Sequence, residues 1–363
     1  MKLKHWIKIA VFAAITIGVL LYASNLLRVA NEKDAVGIYG FYQEPEDSLD
    51  VVLIGSSYMY TYFYSPLAYE QYGLTSYALA SSTMTAPLYR YAAEIAIEKQ
   101  HPQLLVFETG SFCYDIQQDE VSLRKFLDAL PDSEIRTRAI NDIVPEDLKS
   151  SFLFPFEKYH SSWNRIGECL QVAQDKADIR GKGYSITKNY ATTPQYISYS
   201  RQTRKYNISE EGFKYLEILL DYLKEADIDN VLFVRFPDMY NYDVQDSYTK
   251  MIDMIREAGF DFVNLAGAID DIGIDMNKDF YNNSHLNIFG AQKFTPFFTD
   301  YIMKRYDIST DHSPETDAEW EDCASYNDQI IANMEYLTEN KAGGYLYTQR
   351  DFLADYIGIG EAS

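Results

Sequence analysis

Short apolar runs alternate with longer amphipathic stretches between residues 49 and 305. Five runs have the length and composition of buried strands, namely Leu49–Ile54, Ser76–Leu79, Leu104–Phe107, Val231–Phe236 and Phe260–Asn264. The stretches with helical spacing are Pro87–Lys99, Glu210–Ala226, Ser247–Ala258 and Asn287–Lys304. Such alternation is typical of a parallel sheet with helices on both faces. It predicts a three-layer, flavodoxin-like α/β domain of about five strands, with its site at the carboxyl ends of the strands.

Residues 113–205 interrupt this rhythm. They predict an insertion or lid beside the site, where substrate contacts are commonly placed. The segment contains two helical stretches, Glu120–Leu130 and Asp132–Ile143, then Phe152–Trp163 and a polar stretch, Gly181–Arg204. After the domain, residues 306–363 are acidic and indicate a surface appendage. That appendage is predicted to hold a turn over Asp307–Asp322 and a helix over Asn327–Asn340.

The N-terminus has a different pattern, because no charge interrupts Ile9–Leu27 between Lys8 and Arg28. Nineteen such residues are about enough for one bilayer crossing. The lysines at 2, 4 and 8 place the N-terminus in the cytoplasm and the domain outside. Residues 1–30 are therefore predicted to be a cytoplasmic end plus transmembrane anchor, and the polar residues 31–48 a stalk. A cleaved secretory signal is the competing interpretation, although Leu21-Tyr22-Ala23 is a poor cleavage site. A buried helix of a soluble protein is the third interpretation of this segment.

Composition narrows the classes of partner. The net charge of −22 argues against nucleic acid or an anionic membrane surface as the main partner. The three cysteines, Cys113, Cys169 and Cys323, are too few and too scattered for a disulfide scaffold or a metal knuckle. The sequence has no Gly-rich phosphate loop and no zinc or calcium spacing. We expect no cofactor and no metal.

The first predicted strand ends in Gly55-Ser56-Ser57. A strand that breaks at Gly and delivers a Ser is how α/β enzymes present a nucleophile above a sheet. Gly-Ser pairs are also common turn formers, so this signal is weak by itself. A serine hydroxyl is a poor nucleophile at neutral pH, and Ser57 needs a base within reach.

Five histidines are available to be that base. His5 flanks the anchor, His101 precedes a proline and His312 lies in the acidic tail, which leaves His160 and His285. His285 follows the last predicted strand and precedes a helix, whereas Ser57 follows the first strand. A parallel sheet can align both at one edge. The alternative without a function is that His285 is a surface residue in a polar loop.

These residues resemble the sequence blocks of the SGNH (GDSL-type) hydrolases and acyltransferases. The first block of that family, Gly-Asp-Ser, is similar to Gly55-Ser56-Ser57, and the last, Asp-x-x-His, to Asn282-Asn283-Ser284-His285. The resemblance is closer to the DltD-like extracytoplasmic proteins associated with membrane-bound O-acyltransferases. Those carry segments similar to Tyr159-His160-Ser161-Ser162-Trp163 and to His285-Leu286-Asn287 with Gly290-Ala291 and Lys293-Phe294. It runs from the anchor to about residue 330.

The chain departs from the family at three blocks. Asn282 replaces the aspartate, and an amide orients an imidazole without stabilising the imidazolium as a carboxylate does. Asp279 or a backbone carbonyl is an alternative partner for His285, and a Ser57–His285 dyad is another. Ala80, followed by Ser81, replaces the oxyanion glycine, which preserves a backbone N–H. Phe112 lies in the block that usually supplies an Asn donor, and losing one such donor costs about 10²–10³ in rate.

Three further side chains are expected near the site. The resemblance places His160 and Trp163 at the pocket, although a histidine beside Trp and Tyr is more often a packed structural residue. Arg235, at the end of a strand, is expected either to bind a phosphate or carboxylate or to form a buried ion pair. An aromatic cluster after Ser57 suits a sugar or lipid-linked acceptor, or simply half-buried surface; it comprises Tyr58, Tyr60, Tyr62, Tyr64 and Tyr69.

Two functions follow as expectations. The first is a membrane-anchored extracytoplasmic serine acyltransferase or esterase that handles acetyl or D-alanyl groups on a cell-wall polymer or exopolysaccharide. The resemblance implies a membrane-bound O-acyltransferase as its partner. The second is a weak or inactive SGNH-like module that binds glycan or escorts that partner.

Overall fold

The computed structural model describes residues 2–29, 35–167, 179–184, 203–226, 228 and 230–340. Cys169, residues 341–363 and most of the stretch Gly181–Arg204 lie outside these residues. Five parallel strands form the central sheet: β1 (Val51–Gly55), β2 (Ser76–Ala80), β3 (Leu104–Glu108), β5 (Val231–Arg235) and β7 (Asp261–Asn264). Their order is β2-β1-β3-β5-β7. This is the flavodoxin-like order, and the predicted α/β fold class is confirmed. The strands β4 (Thr203–Tyr206) and β6 (Asn241–Val244) pair separately and were not predicted.

Fourteen α-helices lie within the described residues. They are α1 (Lys2–Val29), α2 (Ala35–Gln43), α3 (Ser57–Tyr62), α4 (Ser65–Tyr72), α5 (Tyr89–Gln100), α6 (Glu120–Leu127), α7 (Glu134–Ile143), α8 (Lys149–Leu153), α9 (Phe156–Tyr159), α10 (Glu210–Glu225), α11 (Asp246–Glu257), α12 (Ile269–Ile272), α13 (Ile288–Arg305) and α14 (Pro314–Asn340). Short 3₁₀ turns occur at Ala86–Leu88, Gly110–Cys113, His160–Arg165 and Ile179–Gly181.

The central strands read as unbroken apolar runs because helices cover both faces of the sheet. Along β1, Val52 and Ile54 face a core that contains side chains of α5, α10 and α11. The alternate residues Val51 and Leu53 face a second core built with α3, α4 and α13. All four side chains are fully buried. Both faces of the sheet are therefore covered, and the loops at its carboxyl ends start from a packed core.

Residues 120–153 contribute to the first core rather than lying over it as a separate flap. Leu123, Phe126, Ile140 and Phe152 are fully buried and belong to the same cluster as the sheet residues Ile54 and Phe107. The amphipathic pattern of this segment thus reflects packing against the domain.

The segment expected to be a polar stalk is partly a packed helix. Ile38 and Phe41 of α2 are fully buried in the first core. The neighbouring Glu44 is buried in an ion pair with Lys182, whose ammonium lies 2.9 Å from the Glu44 carboxylate. The polar residues on both sides of α2 lower the average hydrophobicity of residues 31–48, so a prediction from composition overlooks this apolar helix.

The C-terminal segment also differs from its prediction. One continuous helix, α14, begins at Pro314, within the region expected to be a turn. Its Trp320 is buried at 1% exposure in the first core, and its ring lies 4.7 Å from the Lys182 ammonium. The acidic residues form the solvated side of a helix that packs on the domain.

The segment predicted to span a membrane forms one long helix. Leu3–Arg28 of α1 is the one helix of the described part that is long and apolar enough to cross a membrane. Its residues 3–22 are exposed, whereas five of the six residues from Ala23 to Arg28 are buried against the domain. The free part and the packed part meet near Tyr22.

Candidate active site

The turn after β1 is shaped by close packing against β3. A Cβ at Gly55 would lie 2.8 Å from the Cβ of Glu108, so only glycine fits there. The chain then turns at Ser56, and Ser57 is the first residue of α3. The first N–H groups of a helix have no acceptor within the helix. The Ser57 side chain and its own amide are thereby brought to the carboxyl edge of the sheet.

Ser57 and His285 meet at this edge. Their side chains are half-buried, and the distance from Ser57 Oγ to His285 Nε2 is 2.6 Å. The two residues are separated by 228 positions in the chain. The contact has the length expected for a nucleophile hydrogen-bonded to its base.

Asn282 orients the imidazole. Its Oδ1 accepts the backbone N–H groups of Ser284 at 2.9 Å and His285 at 3.0 Å, and it lies 2.9 Å from His285 Nδ1. Backbone N–H groups only donate, so the atom facing them is the amide oxygen. An oxygen acceptor requires a proton on Nδ1. The lone pair of Nε2 therefore points at the Ser57 hydroxyl, as a general base requires.

Burial keeps this imidazole neutral. Desolvation lowers the pKa of His285 to about 4, because the charged form loses its water. The ring lies between Tyr281, stacked with centroids 5.4 Å apart, and Tyr58 at 5.5 Å. At neutral pH the side chain is thus an unprotonated acceptor held between two aromatic rings.

A tyrosine on α3 ties the histidine loop to the serine helix. The Tyr62 hydroxyl lies 3.0 Å from the carbonyl of Ser284 and also contacts the carbonyl of Pro237. Tyr62 itself is fully buried. Because Ser57 begins the same helix, this side chain links the positions of nucleophile and base. Nothing in the sequence distinguishes Tyr62 from its neighbouring tyrosines.

Glu108, the last residue of β3, belongs to the site although it was not predicted. Its Oε2 accepts hydrogen bonds from Ser56 Oγ at 2.8 Å and Tyr89 Oη at 3.2 Å. It also lies 3.3 Å from the backbone nitrogen of Ser56. Burial raises the pKa of this carboxyl. The sequence feature that could have identified Glu108 is an acidic residue at the end of β3, the strand next to the one that ends in Gly55.

Ala80 and Ser81 end the strand next to Gly55. Ala80 pairs with Gly55 in the register of β1 and β2, which brings the predicted oxyanion segment beside the nucleophile turn. The N–H of Ser81 donates to the carbonyl of Gly55 at 3.4 Å. The buried Ser81 hydroxyl has no hydrogen-bond partner among the described residues. The backbone N–H of Ser81 is thus already used, and the donor left without a partner at this position is the side-chain hydroxyl.

His160 and Trp163 lie elsewhere, and the expectation that they line the pocket is not met. His160 is exposed, and its Nδ1 lies 3.0 Å from the carbonyl of Glu157. Trp163 is 45% exposed and contacts the Phe156 ring edge-on at 5.8 Å. Phe156 packs against Leu26 and Leu27 of α1. The segment is spatially tied to the N-terminal helix rather than to His285.

Arg235, at the end of β5, packs on aromatic rings. It is 5% exposed, and its guanidinium lies 4.0 Å from the ring centre of Tyr206 and 5.4 Å from that of Tyr248. A hydrogen bond joins it to Tyr248. The cation is thus packed on aromatic faces inside the domain, a recurrent environment for arginine.

Two other expectations are settled by contacts. Asp279, considered as a substitute for Asn282, accepts Lys293 Nζ and the backbone N–H of Asp275, each at 2.6 Å. Phe112 is fully buried in the first core, so its position supplies no side-chain donor. Among the residues that the structure describes, no group of three or more His, Cys, Asp or Glu could hold a metal ion.

No protein-family model matches the chain, and neither does any curated protein sequence. Among solved structures, the chain is similar to an extracellular lipase from Streptomyces rimosus at 11% sequence identity and a TM-score of 0.31. The superposition covers 69% of this chain and 99% of the lipase. At that distance nothing about activity follows from the likeness.

Proposed function

We propose that the protein is a membrane-anchored, extracytoplasmic serine acyltransferase or esterase. The observation that carries this proposal is the 2.6 Å contact between Ser57 Oγ and His285 Nε2. The Nδ1 proton of that imidazole faces an amide oxygen. A hydroxyl, a neutral base and a group that fixes the base are the minimum set for nucleophilic catalysis by serine.

The reaction starts with proton transfer from Ser57 to His285 Nε2 as Ser57 Oγ attacks the acyl carbonyl. The oxyanion forms beside the Ser57 amide and the Ala80–Ser81 segment, where the Ser57 N–H and the Ser81 hydroxyl are the proposed donors. Collapse of the tetrahedral intermediate breaks the bond to the leaving group, which takes the proton from His285. The acyl group is then esterified to Ser57.

In the second half, His285 takes the proton of an acceptor hydroxyl as its oxygen attacks the acyl-serine. The acyl group leaves Ser57 on the new oxygen, and Ser57 regains its proton from His285. With a polymer hydroxyl as acceptor the reaction is a transfer. With water it is hydrolysis, and the protein is an esterase.

The proposed acceptor is a cell-wall polymer or exopolysaccharide, and the acyl group is acetyl or D-alanyl. Support comes from the resemblance to DltD-like proteins and from Tyr58 and Tyr281, whose rings flank the base and suit a sugar face. The proposed donor is a membrane-bound O-acyltransferase partner. The apolar helix α1 supports a single-pass location in the cell membrane with the domain outside.

A second function is favoured by the two substitutions within the site. Asn282 cannot stabilise an imidazolium as a carboxylate does, and Phe112 is buried where the family places a donor. Both features suit a module that binds glycan or escorts an acyltransferase without catalysis. This alternative predicts that Ser57→Ala retains full polymer acylation in a complementation assay.

Active-site labelling tests the proposal. Wild type, Ser57→Ala and Ser56→Ala are treated with a fluorophosphonate, and the modified residue is identified by mass spectrometry. Ser56 is the matched control, because its hydroxyl is adjacent in sequence but bonds Glu108 instead of His285. We expect labelling of wild type and Ser56→Ala at Ser57. Equal labelling of wild type and Ser57→Ala would disprove the assignment of the nucleophile.

A further inference from the structure

An apolar patch lies on the domain surface next to the packed end of α1. Leu153, Phe154 and Trp163 are 46%, 36% and 45% exposed, and we call these three residues the apolar patch. Phe154 and Trp163 both contact the ring of Phe156, each with centroids 5.8 Å apart. The remaining large apolar side chains that are exposed in the described part outside α1 are Ile116, Val121, Ile218 and Met276.

The position of the apolar patch along the axis of α1 is fixed by contacts with the last turns of that helix. The backbone N–H of Phe156 donates to Ser24 Oγ at 2.9 Å, and the Phe156 ring packs with Leu26 and Leu27. Beyond them, Arg28 pairs with Asp132 at 2.9 Å. The end of the helix is thereby attached to the domain by apolar packing, a hydrogen bond and an ion pair, which leaves little freedom for a hinge.

The length of α1 places the outer surface of the bilayer at the level of the residues that contact the domain. From Lys8 to Tyr22 the exposed helix measures about 21 Å at 1.5 Å per residue. A hydrocarbon core is about 30 Å thick, so a boundary at Lys8 puts the other boundary near Arg28. If Lys8 lies inside the hydrocarbon core and its side chain extends back to the water on the cytoplasmic side, the outer boundary falls about one turn earlier in the helix, at Ser24.

We propose, on the basis of the membrane anchoring proposed above, that the apolar patch inserts into the outer interfacial layer of the lipid bilayer. A tryptophan at this depth matches the aromatic belts of membrane proteins. Beside the patch, Lys158 pairs with Glu120 and Lys149 with Glu146, so a carboxylate balances the charge of each of these two lysines. Attachment therefore depends on apolar insertion and needs no anionic lipid.

Two contacts with the membrane, α1 and the patch, give the domain one orientation on the bilayer. The carboxyl edge of the sheet with Ser57 is then held at a constant height. A donor that crosses the membrane would meet the nucleophile at that height each time.

Tryptophan quenching by brominated phosphatidylcholine in vesicles tests this with the full chain. The protein has three tryptophans, Trp6, Trp163 and Trp320, and the last is buried at 1% exposure. Trp6→Phe leaves Trp163 as the exposed reporter of the patch. Trp163→Phe leaves Trp6, which reports only whether the anchor is inserted. Both changes lie at exposed positions and spare the core.

We expect brominated lipid to remove most of the Trp163 emission in Trp6→Phe and most of the Trp6 emission in Trp163→Phe. As a matched control, Ile218→Trp in the double Phe background places a tryptophan at a position that is 40% exposed on α10, and it stays unquenched. An unquenched Trp163 beside a quenched Trp6 overturns the inference and leaves the anchor intact. An unquenched Trp6 overturns anchoring and the patch together. Quenching at position 218 overturns the specificity of the patch.

Discussion

The carboxylate of Glu108 accepts a hydrogen bond from Ser56 Oγ at 2.8 Å, directly beside the residue that carries the candidate nucleophile. This contact makes the two adjacent serines different. Ser56 faces inward to a buried acid, whereas Ser57 faces His285 at 2.6 Å. The close approach of β3 that creates the contact also explains why position 55 is glycine.

Glu108→Gln should change how stability depends on pH. The buried carboxyl has a pKa raised above the ordinary 4.5, so the folded state binds its proton more tightly than the unfolded state. Wild-type stability from this group is greatest at low pH and declines as pH rises above about 4.5, until the folded-state pKa is passed. Glutamine cannot titrate, and the variant should lack that decline. Urea unfolding in micelles between pH 4.5 and 8 measures the difference, and parallel curves would contradict it.

Glu108→Ala should be much more damaging than Glu108→Gln. It leaves the N–H and hydroxyl of Ser56 without their acceptor and opens a cavity, which together cost about 2–4 kcal/mol. The free energy of unfolding of both variants, measured by the same titration, checks this. Equal losses for Ala and Gln would show that the hydrogen bonds of Glu108 contribute nothing.

The pH profile should reveal a histidine of unusually low pKa. Because the base must be unprotonated, the fluorophosphonate labelling rate of Ser57 should rise as pH increases through about 4, the value set by burial of His285. It should then be flat around pH 6.5. Labelling rates from pH 3.5 to 8, with circular dichroism at each pH to confirm folding, measure the profile. A midpoint near 6.5 would mean that His285 is solvated or is not the base.

Asn282→Asp should raise both the activity and the pKa of the base. A carboxylate beside Nδ1 stabilises the imidazolium, so the low-pH midpoint moves upward and hydrolysis of a small ester rises by about 10-fold or more at pH 8. Asn277→Asp adds the same charge at an exposed position of the same loop and serves as the control. A rate in Asn282→Asp no higher than in the control would favour the non-catalytic module.

Tyr62→Phe should loosen the serine–histidine geometry. The hydroxyl that contacts the carbonyls of Pro237 and Ser284 is lost, at about 1–2 kcal/mol of stability. Small displacements of catalytic groups reduce rates strongly, and we expect labelling of Ser57 to slow by about 10-fold.

Tyr72→Phe is the matched control for that change. Its hydroxyl donates to the carbonyl of Pro296 at 3.2 Å, which joins α4 to α13 without touching the histidine loop. Stability should fall modestly while the labelling rate stays at the wild-type value. Identical rates in the two variants would show that Tyr62 does not position the pair.

Sequence periodicity was sufficient for the sheet and for the apolar helix. The strand β1 begins two residues after its predicted start and ends one residue later than predicted, and β3 extends its predicted strand by one residue. Unbroken apolar runs have few alternatives when both faces of a sheet are covered. It failed for α2 and α14. The helix α2 is a short apolar segment between acidic flanks, and averaging the polarity over residues 31–48 concealed it. In α14, Trp320 is buried although its neighbours in the sequence are acidic.

For the site, the sequence by itself determined the residue types and the order that placed Ser57 after the first strand and His285 after the last. Only the tertiary structure decided which groups surround them. Glu108 and Tyr62 act through contacts that depend on strand order and helix packing. The segment that contains His160 packs near α1 rather than at the pocket. The local pattern of apolar and polar residues determines which face of a helix or strand is buried. The side chain that a residue contacts is instead decided by how segments far apart in the chain pack together.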